Sequence, residues 1–269
     1  MKDWQTYLDL IDVIRPALIA ACGLAVGGAL LGVFVILRRE ALLALALPQV
    51  VAVGAAVGVR MGWSFLPPAI ASAGVALLVT AWARGRGAAH LLLPALYVGG
   101  LSLSVLAIAN SAEHLHDIQH LLAGQDVFVT EEQAWIVTPV LIASGLLAAL
   151  LWRRWLLLAQ SATTARLAGL RPGRWNALFL LLLAAVVVVG TSACGILMVL
   201  ACLFLPAGTV LPWARRIPAA LIASVAAALL FVAGGLVLSI EMDWPLSQSI
   251  GGVGFAALLL SHVLRGLLP

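Results

Sequence analysis

The chain has 269 residues, of which 64% are apolar and only 10% are charged. A soluble domain of this length carries about 25% charged residues, so most of this chain's surface is predicted to face hydrocarbon. The formal net charge of +4 comes largely from arginines in separated pairs, a pattern unlike the basic stripe with interleaved aromatic residues that indicates nucleic-acid binding.

Nine apolar segments follow in chain order, at 14–37, 41–60, 65–83, 88–110, 133–157, 175–193, 195–213, 217–240 and 247–267. Several reach about 20 residues, the length that crosses a bilayer core. In lipid, only helices satisfy their backbone hydrogen bonds within one segment. We therefore predict an all-α polytopic membrane protein, a single domain over 1–269 with eight to nine transmembrane helices, nine being favoured. The segments at 175–193 and 195–213 meet at a tight turn, Gly190–Gly195, so one of them is the candidate for an incomplete crossing.

The basic residues predict the orientation, because arginine and lysine accumulate in cytoplasmic loops. With the N-terminus outside, 12 of the 15 basic residues fall in inner loops, and only Lys2, Arg15 and Arg60 lie at the outer face. The acidic residues divide the opposite way, with Glu40 alone on the inner side. The chain is therefore predicted to begin outside the cell and to end in the cytoplasm.

A basic stretch rich in small residues, at about 158–174, separates two long apolar segments. The orientation places it on the cytoplasmic face. A short helix held there between two spans is typical of the place where a membrane protein engages a cytoplasmic motor.

The outer loop at about 111–132 contains the candidate metal ligands His114, His116, Asp117 and His120. If the loop is helical, His116 and His120 are four residues apart and share a face, so both imidazoles can reach one metal ion. Imidazole with carboxylate suits Zn²⁺, Mn²⁺ or Fe²⁺. The alternative is a polar, solvated loop that happens to contain histidines.

The spans themselves contain few groups with obvious chemistry. No ionisable residue lies at the centre of a span, which argues against a proton-coupled carrier. Pro206 lies inside a span and is predicted to kink it. A serine–histidine pair of Ser192 and His262 would suit an intramembrane enzyme, but the two residues are predicted to lie near opposite ends of their spans.

Four motifs, in the same order as in a known family, resemble the membrane subunits of zinc/manganese/iron-type metal ABC importers. GVFVILRR at 32–39 is similar to the family's G-x-F-V-V-x-R-R, and GQDVFVTEE at 124–132 is similar to its outer-loop pattern G-D-x-x-x-V-(S/T)-x-E. TTARLAGL at 163–170 is similar to its cytoplasmic D-x-A-x-x-x-G-(I/V), and GILMVLACLFLPAGT at 195–209 is similar to V-G-x-L-L-x-x-x-L-L-(I/L)-x-P-A-A-T.

The resemblance implies the ABC metal-importer permease fold and a homodimer in the plasma (inner) membrane of a bacterium. It implies a transport subunit rather than an enzyme, with a separate cytoplasmic ATPase and an extracytoplasmic metal-binding protein as partners. No cofactor would be permanently bound, and the transported ion would be zinc, manganese or iron. The ATPase would dock on the segment that contains Thr163, Ala165 and Gly169.

Two departures from the family weaken the expectation of a metal. The family's second span carries D-x-x-x-H along the ion path, and those positions fall on Leu45 and Gln49 here. The acid of the cytoplasmic motif likewise falls on Thr163. A permease of the same architecture for a metal chelate or another solute therefore stays open, as does an intramembrane enzyme.

If the outer loop has taken over ion selection, replacing His116 and His120 with alanine raises the metal concentration needed for half-maximal uptake. Uptake of radioactive metal by cells that express each form measures this concentration. Unchanged uptake would rule out the loop as the selecting site.

Overall fold

The structure, a computed structural model, describes residues 4–106 and 129–267. The described residues form ten α-helices and no β-strand. In chain order these are α1 Trp4–Leu37, α2 Ala41–Arg60, α3 Leu66–Gly85, α4 Ala89–Leu106, α5 Glu131–Leu150, α6 Trp152–Gln160, α7 Ala162–Leu167, α8 Pro172–Val210, α9 Ile217–Met242 and α10 Leu246–Leu267. The predicted all-α class is confirmed, and the histidine-rich part of the outer loop lies outside the described residues.

Seven of the described helices are long and apolar enough to cross a membrane, and Leu91–Leu106 is a shorter apolar helix. The predicted boundaries of α2, α9 and α10 agree with the structure to within two residues. The predicted span 133–157 is wrong at its C-terminal end, because α5 ends at Leu150 and a separate helix, α6, begins at Trp152. Residues 153–157 therefore belong to a short helix beside the bundle and not to a span.

Helix α1 is the centre of the bundle. Its most apolar stretch is 78% buried, compared with 17% for α10. It packs most extensively against α8 and α5, and also against α9. Neighbouring helices surround this stretch, and its apolar side chains, including Leu24, Leu31 and Phe34, are almost completely buried.

Glycines allow α1 to approach its neighbours closely. A Cβ atom on Gly145 of α5 would lie 2.7 Å from the Cα atom of Gly27. On the other side of α1, a Cβ atom on Gly32 would collide with the backbone carbonyl of Leu203 in α8. Small residues permit such contacts where lipid removes the hydrophobic driving force between helices. These two contacts fix α5 and α8 against α1.

Helix α8 is assigned as one element of 39 residues, but its backbone breaks at Gly195, where φ is 78° and ψ is 169°. A Cβ atom on Gly190 would lie 2.8 Å from Cγ2 of Val199. Nine residues of an uninterrupted helix advance about 13.5 Å, so such proximity requires the chain to fold back on itself. The first arm, 172–194, and the second arm, 196–210, therefore run in opposite directions. The tight turn predicted near Gly195 is present, as a break within one assigned helix.

The contacts of α1 show which loops share an end of the bundle. Along α1, Gly28 faces Cys202 and Gly32 faces Leu203 of the second arm of α8, so the two run in the same direction. The end of α1 and the start of the first arm meet through Arg38 and Asn176. We call this the arginine-rich end of the bundle, because its described residues include Arg38, Arg84, Arg154 and Arg174.

Replacing Gly32 with alanine is expected to destabilise the protein by about 1–3 kcal/mol, because the added methyl group overpacks the contact between α1 and α8. Gly74→Ala in α3 is the matched control, since no atom lies within 4 Å of the added methyl group there. Thermal unfolding in detergent, followed by tryptophan fluorescence, compares the two variants. Equal unfolding temperatures would contradict this account of the α1–α8 contact.

Candidate functional site

The first candidate site lies on α2, at the two positions that the resemblance assigns to the ion path. Gln49 is only 5% exposed, and its Oε1 atom is buried without a hydrogen-bond partner among the described residues. Leu45 lies one turn earlier and is half-buried. Because residues four apart share a helix face, the two side chains form one patch that offers a single oxygen ligand.

Gln49 is confined by the neighbouring helix α4. A Cβ atom on Gly100 of α4 would lie 3.0 Å from Cβ of Gln49, so the backbones approach closely at this level. An unpartnered buried acceptor costs about 1–3 kcal/mol. The Gln49 side chain is therefore a buried polar group whose Oε1 atom receives no hydrogen bond from the described residues of this single chain.

The returning arm of α8 contains Pro206, the predicted kink. Pro206 is buried, and the helix continues through it to Val210. Thr191, on the first arm, is buried with its Oγ1 atom lacking a hydrogen-bond partner in the described part of the chain. The main departure from helical geometry in α8 is at Gly195 and not at Pro206.

Ser192 and His262 do not form a catalytic pair. Ser192 donates its hydroxyl to the Val189 carbonyl at 2.8 Å, and Nδ1 of His262 lies 3.0 Å from the Leu258 carbonyl oxygen. Ser247, at the start of α10, donates to the Cys194 carbonyl near the turn of α8. His262 lies 15 residues further along α10, which is about 22 Å of helix.

The second candidate site is the segment 158–174, predicted to be cytoplasmic, which the structure resolves into the end of α6, the short helix α7 and the start of α8. Ser161 caps α7, and its hydroxyl accepts a hydrogen bond from the Thr164 amide at 2.9 Å. Thr163 is exposed, whereas Ala165 is fully buried. Of the predicted docking residues, Thr163 is therefore on the outer surface of α7 and Ala165 is packed beneath it.

Gly169 ends α7 in the left-handed conformation, with φ of 77°. The Gly169 amide donates to the Arg166 carbonyl at 2.9 Å, and the Leu170 amide donates to the Ala165 carbonyl at 3.0 Å. This pair of bonds is the Schellman motif, which glycine forms without steric cost. Beside it lies a cavity of about 330 Å³ lined by Gly169, Arg171, Arg174, Trp175 and Leu178.

A third group of residues, which the sequence reasoning missed, joins this segment to the bundle. We call it the Arg38 cluster: Arg38, Glu40, Arg84, Trp155, Asn176 and Phe179. Nη2 of Arg38 donates to Oδ1 of Asn176, and Arg84 forms an ion pair with Glu40. The signal in the sequence was Glu40, the one acidic residue predicted among the inner arginines.

The arginine at the centre of this cluster is buried and charged. Its side chain is 5% exposed, and its Cζ atom lies 4.3 Å from the Phe179 ring centroid and 5.8 Å from the Trp155 ring centroid. Burial lowers the pKa of the Arg38 guanidinium, Glu40 raises it, and Arg84 lowers it further. Arginine remains protonated at neutral pH, so the aromatic faces and the Glu40 carboxylate stabilise a cation that water does not reach.

The remaining predicted ligands, His114, His116, Asp117 and His120, lie outside the described residues. Within the described ranges, no group of three or more histidine, cysteine or acidic side chains is placed to hold a metal ion.

The described residues form a bundle of helices long and apolar enough to cross a membrane, with a short capped helix at its arginine-rich end. The chain belongs to the ABC 3 transport family, whose model matches residues 10–265.

Individual relatives agree with this family. The chain is 26% identical over 217 residues to the manganese import system permease protein ScaB of Streptococcus pneumoniae, covering 78% of this chain and 75% of that protein. It is 24% identical over 239 residues to the manganese transport system membrane protein MntC of Halalkalibacterium halodurans, covering 88% and 82%. In fold it is similar to PsaBC from Streptococcus pneumoniae in complex with Fab, with a TM-score of 0.84, 22% identity and coverage of 96% and 94%.

These findings confirm the resemblance drawn from the four motifs. The chain is a permease of the ABC 3 transport family and a multi-pass protein of the bacterial plasma membrane, and the relatives it resembles are manganese permeases. It is a transport subunit and not an enzyme.

Replacing Gly169 with alanine is expected to strain the end of α7 by about 1–2 kcal/mol, because an L-residue with a Cβ is disfavoured in the left-handed region. The Leu170 amide, which closes the motif, should then exchange with deuterium faster than in the unaltered protein. Gly173→Ala is the control, since Gly173 has no positive φ and no atom within 4 Å of an added methyl group. Equal exchange at Leu170 in both variants would refute the strain.

Proposed function

We propose that this chain is the permease subunit of an ATP-driven importer of a divalent transition metal ion, and that two copies form the translocation path. The observation that carries the proposal is the family match over residues 10–265, together with relatives that are manganese permeases. Mn²⁺ is therefore the first candidate cargo. Zn²⁺ and Fe²⁺ follow, because similar ligands suit them.

We further propose nine crossings, with the N-terminus outside and the C-terminus in the cytoplasm. The opposite directions of the two arms of α8 support this count, because each arm then makes its own crossing. The arginine-rich end supports the orientation, since short loops rich in arginine stay in the cytoplasm. Arg38, Arg84, Arg154 and Arg174 then all face the cytoplasm.

In this orientation, the segment 158–174 is the docking site for a cytoplasmic ATPase. Its exposed surface carries Thr163, and the buried Ala165 and the Schellman motif at Gly169 give it a fixed shape. Between 153 and 174 the chain contains five arginines and no acidic residue. The complementary surface of the ATPase is therefore proposed to be acidic, and an extracytoplasmic metal-binding protein is proposed to dock at the opposite end, near the outer loop 111–132.

The translocation path is proposed to run past Leu45, Gln49 and Pro206, with the buried oxygen of Gln49 as the ligand that each copy contributes. The outer-loop residues His114, His116, Asp117 and His120 are proposed to select the ion before it enters.

A metal chelate is the second candidate cargo, and Leu45 is the observation that favours it. An apolar side chain cannot replace the acid of the family pattern as a ligand. A chelate carries its own ligands, so a path with one amide oxygen per subunit is enough for it.

Purification of the tagged protein from its native cell in a mild detergent tests the proposed function. The expected result is a stoichiometric chain with a nucleotide-binding motif, whose ATPase activity rises when Mn²⁺ and the outer binding protein are added. Stimulation by a chelated metal alone would select the second cargo. Recovery of the intact permease dimer without any ATPase would contradict the proposal.

Replacing Gln49 with leucine removes the buried oxygen at nearly constant volume. We expect the Mn²⁺ concentration for half-maximal uptake to rise by about tenfold or more, because one such interaction with a charged group contributes about 1.5–3 kcal/mol. Uptake of radioactive manganese into proteoliposomes measures this concentration. Gln49→Glu, which keeps an oxygen at the same place, is the matched control and should not show the loss.

A further inference from the structure

We propose that Arg38, Glu40 and Arg84 are positioning residues that transmit movement of the α6–α7 segment to α2 and so couple ATP hydrolysis to transport. This inference rests on the proposed function and names residues of that function that lie outside both the docking surface and the ion path. Four observations carry it: how α6 is held, how Arg38 contacts the rings that hold it, how α1 is joined to α2, and where the Glu40 carboxylate points.

Trp155 is the fully buried anchor of helix α6, beside the partly buried Trp152 and Leu158. Trp155 is the only buried residue among the nine of α6, and it is completely buried. Its Nε1 atom donates to the Ala148 carbonyl at 2.9 Å. Its ring contacts Trp175 and Phe179 edge-to-face, with centroid distances of 5.7 and 5.6 Å. These rings are therefore the most deeply buried contact through which a displacement of α6 by a docked partner reaches the bundle.

The Arg38 guanidinium lies against the same rings. Its Cζ atom is 4.3 Å from the Phe179 centroid and 5.8 Å from the Trp155 centroid. Its Nη2 donates to Asn176, while Nε and Nη1 lack a hydrogen-bond partner among the described residues. A cation–π contact with Phe179 and one directed hydrogen bond to Asn176 therefore hold the cation, an arrangement that depends on the guanidinium shape and not on charge alone.

The turn from α1 to α2 is short and well bonded, so the two helix ends move together. Arg39 adopts the left-handed conformation, with φ of 57°. The Arg39 amide donates to the Ile36 carbonyl at 3.1 Å, and the Glu40 amide donates to the Val35 carbonyl at 2.9 Å. A force applied at Arg38 is thus passed directly to Glu40, the residue that precedes α2.

The carboxylate of Glu40 is turned away from the helix that it precedes. It makes no capping hydrogen bond to α2. Instead it pairs with Arg84 at the end of α3, and its Oε1 lies 3.9 Å from Nη2 of Arg38. A cap would stabilise α2 alone, whereas this arrangement connects α1, α2 and α3 at one point.

From this point, α2 leads directly to the proposed path. Leu45 and Gln49 lie five and nine residues beyond Glu40, which is about 7.5 and 13.5 Å along the helix axis. A rotation of α2 at Glu40 therefore moves both side chains. Stability alone does not require these charges, because buried ion pairs are often no better than packed apolar residues.

The test uses the assembled transporter in proteoliposomes and measures the number of Mn²⁺ ions transported per ATP hydrolysed. Glu40→Gln and Arg38→Lys keep size or charge but remove the connection. For both we expect the ratio to fall by about 2- to 30-fold, the range in which single residues modulate coupling between sites. Both variants should retain the ATPase subunit and the unfolding temperature of the unaltered complex.

Two further variants make the test specific. Glu40→Asp keeps a carboxylate beside both Arg38 and Arg84 and should retain most of the ratio. Arg86→Gln is the matched control, because Arg86 also stacks on an aromatic ring, Trp82, with its Cζ 4.3 Å from the centroid. Unlike Arg84, it does not pair with Glu40, so its loss should leave the ratio unchanged.

The outcomes separate the inference from the proposed function. An unchanged ratio in Glu40→Gln and Arg38→Lys overturns the inference alone. A fall in the ratio that only accompanies lost assembly or a lowered unfolding temperature, and that Glu40→Asp shows to the same extent as Glu40→Gln, also overturns it, because the residues would then be structural. An unaltered complex that hydrolyses ATP without moving Mn²⁺ or its chelate overturns the proposed function, and the inference with it.

Discussion

The close approach of α1 to α5 and α8 is the constraint on which the rest of the structure depends. In a bilayer, the helices gain nothing from burying apolar surface against each other instead of lipid, so their contact must come from packing at short range. Gly27, Gly32 and Gly145 provide that packing, because side chains at these positions would occupy the space of a neighbouring backbone. Once α5 and both arms of α8 are packed on α1, the positions at which the remaining helices can pack are restricted.

The same constraint explains where the polar groups are. A bundle held by backbone contacts has little room for charge in its interior, and two ion pairs lie at its arginine-rich end, where Glu40 meets Arg38 and Arg84. The rings of Trp155 and Phe179 surround the Arg38 guanidinium in place of the carbonyl groups and water that would otherwise contact it. The quadrupole of the rings and the opposite charge of Glu40 together offset the free-energy cost of burying the Arg38 guanidinium there.

Much of the fold follows from the sequence, because arginines or prolines bound the apolar runs that form α2, α9 and α10. The reversal at Gly195 also has a local cause, since few residues besides glycine adopt that backbone conformation. The end of α5 was missed because Trp152 and Trp155 look apolar in a hydropathy reading, although they belong to a short helix that lies beside the bundle. The Arg38 cluster was not predictable from spacing, because Arg38 and Asn176 are 138 positions apart in the chain.

Under the proposed function, the weak ligand set on α2 is consistent with transport. A site that releases its ion must bind it less tightly than a storage site does, and conduction requires binding that is favourable enough to enter and weak enough to leave. A neutral amide such as Gln49 binds a divalent cation less strongly than a carboxylate does, because it brings a dipole and no charge. Selection among ions then has to occur before the path, at the outer loop or in a delivering protein. Within the membrane, transport then requires α2 to move, and the Arg38 cluster is a charged contact that links the start of α2 to α6 and α8.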